Sequence, residues 1–459
     1  MLRTFVPTRH DLRALVRLGT PIVAAQVGLQ LTTVVSAIVV GHCSADDLAA
    51  VALGNLYTIG LLIFAQGTLW AMDPILAQAA GAGDEHAVTL GLQRGVMLSL
   101  LIGVALTLLC IPAEHVFRLL REPASVVPRA TDFVHISMAG MVPQLLWATL
   151  RLSLQALKKT RAVVVSIIGA NVVNLALNWA FTLGHWGSPS LGAAGSAIAM
   201  TGSRWTMLAL LLAFARHDLL PRLRPWHPGV MERGPIARTL GIGVPIGVQT
   251  SIEYTTFAAI AALAGWFGAD ALGGHHVAIN LASLAFMVPL GIGSAAAVLV
   301  GRAIGEGDVP HARRIAASAL ACGAGFMALG GAAMLAVPGV FAAIYTSVPE
   351  VRAVAVRLIP IAGVFQVFDG LQVVGAGVLR GAGSTRLPML VNVLGLWLIG
   401  LPSSLAFGFG LGHGVVGLWW GFVVGLAVIS TLLVALVRVR LGGAIDRVRV
   451  ETGAGTPAP

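Results

Sequence analysis

The stretch of sequence that decides the fold is TLGIGVPIGVQTSIEYTTFAAIAALAGWFGA, residues 239–269. A helix of about 20 apolar residues crosses the roughly 30 Å hydrocarbon core of a bilayer, and this stretch is longer than that. Its only charged residue is Glu253, and the nearest charges on either side are Arg238 and Asp270. A carboxylate at bilayer depth is costly, so it predicts a position on an ion, proton or substrate pathway.

The rest of the chain repeats this apolar pattern. The 459 residues are 57% hydrophobic and only 10% charged, and the mean hydropathy is +0.88. Soluble domains carry about a quarter charged residues, so the composition predicts an integral membrane protein. Long apolar runs joined by short Arg-, Gly- and Pro-rich links indicate membrane helices, whereas barrel strands would alternate over about 10 residues. The predicted fold class is an all-α membrane protein.

Twelve apolar runs are long enough to be membrane spans. They are residues 14–40, 48–72, 95–113, 131–152, 162–184, 192–214, 239–266, 273–299, 315–339, 354–379, 387–408 and 414–437. The longest polar link divides them six and six. The predicted organisation is an N-terminal segment (1–13), an N-lobe with spans 1–6 (14–214), a linker (215–238), a C-lobe with spans 7–12 (239–437) and a C-terminal tail (438–459).

The basic residues fall mainly on one side of this topology. Both termini and the linker share a side that holds all but six of the 29 Lys and Arg residues. The six exceptions are Arg118, Arg121, Arg129, Arg204, Arg352 and Arg357. The positive-inside rule makes the basic side cytoplasmic, so both termini are predicted to be cytoplasmic in a bacterial inner membrane. The net charge of +10 then reflects topology, and no nucleic-acid partner is expected.

The two halves of the chain match at a constant offset. Pro21 pairs with Pro245, and 245 − 21 = 224. The segments Gly81–Asp84 (GAGD) and Gly305–Asp308 (GEGD) are separated by the same 224 residues. Six spans per repeat give both halves the same orientation, so the sequence predicts a pseudo-two-fold axis along the membrane normal. Two such bundles around a central cleft suit transport by alternating access.

Several short motifs occur in a characteristic order along nearly the whole chain. They are LGTP ending at Pro21, MDPILAQ from Met72, GVP ending at Pro245 with Glu253, HVAIN from His276, FMVP from Phe286, VGRAIG from Val300, DGLQ from Asp369 and LRG from Leu379. In order and spacing they resemble the multidrug and toxic compound extrusion (MATE) family, most closely its NorM-like bacterial branch. The resemblance implies twelve helices in two six-helix lobes around a V-shaped central cleft. It also implies export of organic cations and other xenobiotics in exchange for H⁺ or Na⁺.

The resemblance carries specific residues with it. Glu253 matches the family's acidic residue on the seventh span, and Asp369 matches the one on the tenth. Asn174 and Asn178 match polar positions on the fifth span. Many bacterial members have an aspartate on the first span where this chain has Ser36. Ion coupling is therefore expected to rest mainly on the C-lobe, at Glu253 and Asp369.

The residues themselves suggest how such a site would work. Gln249 shares a helix face with Glu253, and Gln366 and Gln372 share one with Asp369. Buried carboxylates that lie close together favour protonation, so a proton can compete for them, and Na⁺ could use the same oxygens with those of Asn280 or Gln372. The predicted neutral cleft residues are Gln26, Gln30, Ser36, Asn174, Asn178, Gln249, Tyr254, Asn280, Gln366 and Gln372.

Other classes of function remain alternatives at this stage. A lipid-linked saccharide flippase of the same superfamily would favour a basic cleft, and a membrane-embedded transferase would favour clustered His, Asp and Glu at a membrane face. No nucleotide motif is present, and we expect no cofactor and a monomeric transporter rather than an enzyme. Two charged residues have no settled role: Arg204 could pair with a carboxylate or snorkel, and Asp73 is expected to make a helix-end or gate contact.

Overall fold

The computed structural model describes residues 8–41, 43–443 and 445–450. Every regular element in these ranges is helical. The twelve long helices are α1 (Arg9–Val40), α2 (Asp46–Gly81), α3 (Glu85–Cys110), α4 (Val127–Ala156), α5 (Arg161–Thr182), α6 (Gly192–Phe214), α7 (Arg233–Gly265), α8 (Ala269–Gly305), α9 (Val309–Ala336), α10 (Pro349–Gly381), α11 (Arg386–Gly410) and α12 (Gly414–Gly442). Residues 1–7 and 451–459 of the predicted terminal segments lie outside the described ranges.

Each predicted span lies wholly or mostly within one of these helices, and four of them run one to three residues past the helix end. Among the described residues, eleven helices are both long and apolar enough to cross a membrane, and α7 is not among them. With 33 residues, α7 is about 50 Å long, ample for a bilayer. Its mean hydropathy is lower because polar side chains interrupt it from Gln249 to Thr256. The least apolar of the twelve spans is therefore the one that contains Glu253.

Four of the long helices are irregular, and in α4 the irregular segment is a 3₁₀ turn at Met138–Gly140. A turn at Trp70 and Ala71 interrupts α2: the helical segment before the turn ends at Leu69, and the segment after it is Met72–Gly81. A π-helix, Asn178–Thr182, ends α5, and two more, Leu394–Gly400 and Ala406–Gly410, lie in α11. Such π-helical turns inside α-helices are rare and frequently mark functional sites.

The chain forms two compact units by internal contacts. Of the described residues, the C-unit comprises 8–26, Asp73–Gly83 and Val248–Val448. The N-unit comprises Val27–Met72, Asp84–Gly247 and residues 449–450. The second part of α2 is thus grouped with helices from the second half of the sequence. The lobe boundaries expected from the sequence stay a prediction.

Glycines explain why the end of α2 packs tightly within the C-unit. A Cβ on Gly81 would fall well inside 3.0 Å of the Arg302 carbonyl oxygen, and one on Gly305 would do the same at the Gln78 carbonyl. These contacts are reciprocal in the repeat, because 305 − 81 = 224 and 302 − 78 = 224. The repeat read from the sequence is therefore present in the packing.

The turn that follows each of these glycines is also repeated. Gly83 and Gly307 have φ of 69° and 79°, a conformation that glycine adopts without steric cost. The next residue then caps a helix: Asp84 Oδ1 accepts from the Ala87 amide at 3.0 Å, and Asp308 Oδ1 from the His311 amide at 2.8 Å. Both GxGD segments are therefore helix-capping turns, at the starts of α3 and α9.

The linker between the halves is anchored to α3 within the N-unit. Gln93 is fully buried, and its Nε2 donates to the carbonyls of Arg222 at 2.9 Å and Pro225 at 2.8 Å, while its Oε1 accepts from the His227 amide at 2.9 Å. Buried Arg94 donates to the Val230 and Gly229 carbonyls at 3.3 and 3.1 Å. The predicted linker is consequently an ordered part of the N-unit.

Candidate functional site

Glu253 lies near the middle of α7 on a half-buried face of the helix. Gln249, one turn earlier, donates from Nε2 to Glu253 Oε1 at 3.1 Å. The hydroxyl of Thr256, three residues after Glu253, donates to the Ile252 carbonyl of the same helix at 2.7 Å. The α7 contribution to the site is therefore Gln249 and Glu253.

A second amide reaches Glu253 from α10. Gln372 Nε2 donates to Glu253 Oε1 at 2.9 Å, so two N–H groups converge on one carboxylate oxygen. In the described part of the chain, the other oxygen, Oε2, accepts no hydrogen bond from protein. Gln372 Oε1 is buried and likewise has no hydrogen-bond partner there. Glu253 Oε2 is thus open to a proton or a cation, while the Gln372 amide turns its N–H side to the carboxylate.

Asp369 lies on α10 one turn before Gln372. It is 7% exposed, and no hydrogen bond or ion pair to its carboxylate is found among the described residues. Its charge and that of Glu253 repel each other, whereas Arg380, three turns further along α10, attracts Glu253. Burying two carboxylates without a cation is unfavourable, so this arrangement favours binding of a proton or a small cation.

Asn392 also belongs to this cluster, although it is not among the site residues predicted from the sequence. It is fully buried on α11, and its Oδ1 accepts from Gln372 Nε2 at 2.8 Å. Its own Nδ2 donates to the Pro388 carbonyl one turn earlier, at 3.0 Å. The signal was available: span 11 corresponds to span 5, where asparagines were picked out, and Asn392 is a polar residue in an otherwise apolar run.

Three other candidates in the C-unit are not hydrogen-bonded to Glu253. Gln366 is fully buried, and its Nε2 donates to Met334 Sδ on α9 at 3.3 Å. Asn280 is exposed and donates to the His276 carbonyl of its own helix at 2.8 Å. Tyr254, next to Glu253, is half-buried; adjacent helical residues point about 100° apart, so it faces another direction.

The candidates of the N-unit form a neutral network. Asn178 Nδ2 donates to Ser36 Oγ and to Asn174 Oδ1, both at 3.2 Å, and Ser36 Oγ donates to Asn174 Oδ1 at 3.3 Å. Thr182 Oγ1 donates to Asn178 Oδ1 at 3.0 Å and also lines a cavity of about 490 Å³. All four side chains are buried, and none is charged. Of the two glutamines predicted on α1, Gln30 is half-buried in the N-unit, whereas buried Gln26 belongs to the C-unit.

The comparison with protein families gives a clear result. The MatE family profile matches this chain twice, at residues 21–180 and 245–405. The chain belongs to the MatE family. The two matches begin 224 residues apart, which is the offset of the internal repeat.

Relatives of this MatE protein align along almost its whole length. It is 34% identical over 431 residues to the "Probable multidrug resistance protein NorM" of Rhizobium meliloti, covering 92% of each chain. It is 31% identical over 441 residues to the "Multidrug resistance protein MdtK" of Yersinia pseudotuberculosis, covering 93% of this chain and 95% of that one. The predicted family is therefore confirmed.

A solved structure shares the fold. The crystal structure of the eukaryotic MATE transporter AtDTX14 superposes with a TM-score of 0.85 at 21% identity, covering 94% of this chain and 98% of that one. At this identity the likeness concerns the fold alone. The predicted fold class, an all-α multi-pass membrane protein, is confirmed.

The two charged residues of unsettled role in this MatE chain have protein partners. Arg204 is buried on α6 and donates to the Ser137 carbonyl and to Met200 Sδ, both at 3.4 Å. Arg380 Nε donates to Asp73 Oδ2 at 2.9 Å, and both side chains are at most 9% exposed. Asp73 therefore makes an ion pair at the first turn of the helix Met72–Gly81.

Aromatic residues pack beside the carboxylates of this MatE protein. Phe257 lies one turn after Glu253, and Phe365 lies one turn before Asp369; their rings meet edge to face at 6.1 Å. Phe422 on α12 contacts both rings at 4.9 and 5.5 Å. Phe365 and Phe422 are at most 2% exposed, so these rings form part of the packed core of the C-unit next to the site.

Proposed function

We propose that this MatE protein is a secondary active multidrug efflux transporter that exports organic cations in exchange for H⁺ or Na⁺ by alternating access. Its relatives carry the names of multidrug resistance proteins NorM and MdtK. The observation that supports ion exchange is the cluster in the C-unit. Two carboxylates, Glu253 and Asp369, lie on neighbouring helices, and Glu253 Oε2 and both oxygens of Asp369 accept no hydrogen bond from the described residues.

Competition for this cluster accounts for exchange. A proton on either carboxylate, or Na⁺ held by Glu253 and Asp369, cancels one of the negative charges that attract an organic cation. Binding of the coupling ion therefore favours release of the substrate, and binding of the substrate displaces the ion. Because the coupling ion and the substrate cannot both bind to the same carboxylates, the gradient of the ion drives movement of the substrate.

The N-unit cluster has a different part in this proposal. With Ser36 in place of an acidic residue, the network with Asn174 and Asn178 holds no charge to bind a coupling ion. We therefore assign coupling to the C-unit. Arg204 donates to neighbouring protein atoms, so it offers little to the pyrophosphate of a lipid-linked saccharide, and the flippase alternative is disfavoured. We further propose a monomer in a bacterial inner membrane with both termini cytoplasmic.

Dye efflux from cells tests the assignment of the carboxylates. Glu253→Gln and Asp369→Asn are each expected to abolish efflux of a cationic dye, because each removes a charge that the exchange requires. Glu306→Gln, at an exposed residue of the turn after α8, is the matched control and should leave efflux unchanged. Gradient-coupled efflux by both site variants would rule out the assignment.

Reconstitution into proteoliposomes tests the exchange itself. A pH gradient and a Na⁺ gradient, imposed separately, should show that one of them drives dye transport by the wild type. Transport driven by neither gradient would refute antiport, whatever the variants do.

A further inference from the structure

We propose that Asn392 is a positioning residue: it turns the Gln372 amide so that an N–H group faces Glu253, and in this way sets how tightly the site holds its coupling ion. The proposal rests on the proposed function, since it concerns the same site. It assigns a role to a residue on α11, a helix with no carboxylate of its own in the site.

The argument begins with the orientation of Asn392 itself. Its Nδ2 donates to the Pro388 carbonyl on the same helix, at 3.0 Å. Its Oδ1 is consequently the atom directed at α10. An oxygen in that position can accept but not donate, so only the N–H side of a neighbouring amide satisfies it. The fully buried side chain has no solvent to offer an alternative.

Gln372 responds to this constraint. Its Nε2 lies 2.8 Å from Asn392 Oδ1 and 2.9 Å from Glu253 Oε1, so one amide nitrogen donates to both. Without Asn392, the amide could turn by half a rotation and bring its own oxygen towards the carboxylate. Two oxygens facing each other are repulsive unless a proton or a cation lies between them.

The consequence is an effect on the coupling ion. With Asn392 present, two N–H donors stabilise ionised Glu253 before any ion binds. With Asn392 removed, Gln372 no longer has to donate to Glu253, and the carboxylate gains more from a proton or a cation. The charged groups that act on this cluster, Asp369 and Arg380, lie on α10 and are unchanged by the substitution.

The position of Asn392 in its helix is consistent with this role. The residue lies one position before the end of the α-helical segment Arg386–Val393, and the π-helix Leu394–Gly400 follows. In the N-unit, Asn178 begins the π-helix that ends α5 and donates to Ser36. Each repeat thus has an asparagine beside a π-helix that fixes polar side chains on a neighbouring helix.

A double-mutant cycle in proteoliposomes separates positioning from packing. The measured quantity is the concentration of the driving ion at half-maximal dye transport, for the wild type, Asn392→Leu, Gln372→Leu and the double variant. Loss of a hydrogen bond to a charged group corresponds to roughly a tenfold change or more. Asn392→Leu is expected to reach half-maximal transport at about a tenfold lower ion concentration.

The cycle then decides whether Asn392 acts through Gln372. In the Gln372→Leu background, Asn392→Leu should change the half-maximal concentration by less than about twofold, because the amide it orients is gone. Equal shifts in both backgrounds, or no shift in the single variant, would overturn the proposal. A purely structural role would reduce the amount of folded protein without moving the ion concentration.

A second variant and two controls distinguish failure of the positioning role from failure to fold and from failure of the proposed function. If Asn392→Leu fails to fold, Asn392→Ala carries the same expectation, since it also lacks the acceptor. If the wild type responds to neither gradient, the proposed function itself fails. If the wild type is ion-driven and Glu253→Gln is inactive, but neither Asn392 variant shifts, only the positioning role is refuted.

Discussion

Replacing one partner of the Asp73–Arg380 ion pair should destabilise the protein more than replacing both partners. Asp73 is 2% and Arg380 9% exposed, and Arg380 Nε lies 2.9 Å from Asp73 Oδ2. Replacing one partner leaves the other charge in a buried site, which costs about 3–5 kcal/mol. We expect this loss for Asp73→Asn and for Arg380→Gln separately.

The double variant should lose much less. Replacing both partners of a buried pair with neutral groups is often nearly neutral. Here each charge also lies at a favourable helix end, Asp73 at the start of Met72–Gly81 and Arg380 in the last turn of α10, worth about 0.3–1 kcal/mol each. The double loss should therefore be about 1–2 kcal/mol. Gln78 Nε2, which donates to the Gly381 carbonyl at 2.9 Å, still holds these helices together.

Equilibrium unfolding in mixed micelles titrated with SDS, followed by tryptophan fluorescence, measures these differences. Arg118→Gln is the control, because Arg118 and Glu114 form an exposed pair with 71% and 43% of their side-chain surfaces accessible. It should change the free energy of unfolding by less than about 1 kcal/mol. The reasoning is refuted if the double variant is destabilised by the sum of the singles, or if the singles match the control.

Two other predictions concern packing. Gly305→Ala would place a Cβ against the Gln78 carbonyl and should lower the free energy of unfolding by roughly 1–3 kcal/mol. At Gly325 in α9 an added Cβ would have no atom within 4 Å, so Gly325→Ala should raise the free energy of unfolding by about 0.4–1 kcal/mol. Equal effects of the two variants in the same SDS titration would contradict the close packing at Gly305. Gln93→Leu removes three hydrogen bonds to the linker, each worth about 1 kcal/mol, so trypsin should cleave residues 215–238 at least about tenfold faster than in the wild type. Cleavage at the wild-type rate would show that Gln93 does not anchor the linker.

The helices could be predicted closely from the sequence. Predicted span 6 coincides with α6 at Gly192–Phe214, and span 12 begins at Gly414 with α12. Helix formation in a membrane depends on a local property, a run of apolar residues long enough to cross the bilayer. The turns at Gly83 and Gly307 are local features as well, because glycine adopts their positive φ without steric cost.

The candidate site was only partly predictable. Glu253, Gln249, Asp369 and Gln372 were chosen because helical spacing puts each pair on one face, and the structure brings the two faces together. Gln366 met the same criterion but donates to Met334. One face of a helix is broad enough to contact more than one neighbouring helix, so residues on the same face can have different partners. Asn392 could be linked to Gln372 only once the packing of α11 against α10 was known, because that packing brings the two side chains together.

By itself the sequence determined the membrane class, the twelve helices, the repeat of 224 residues and the two carboxylates of the candidate site. These follow from composition, apolar run length and the cost of burying charge, which are properties of neighbouring residues. The tertiary structure alone decided which partners those side chains meet: two amides on Glu253, Asn392 behind Gln372, and Arg380 on Asp73. Hydrogen bonds and ion pairs act over about 3 Å, so they depend on how helices distant in sequence are packed.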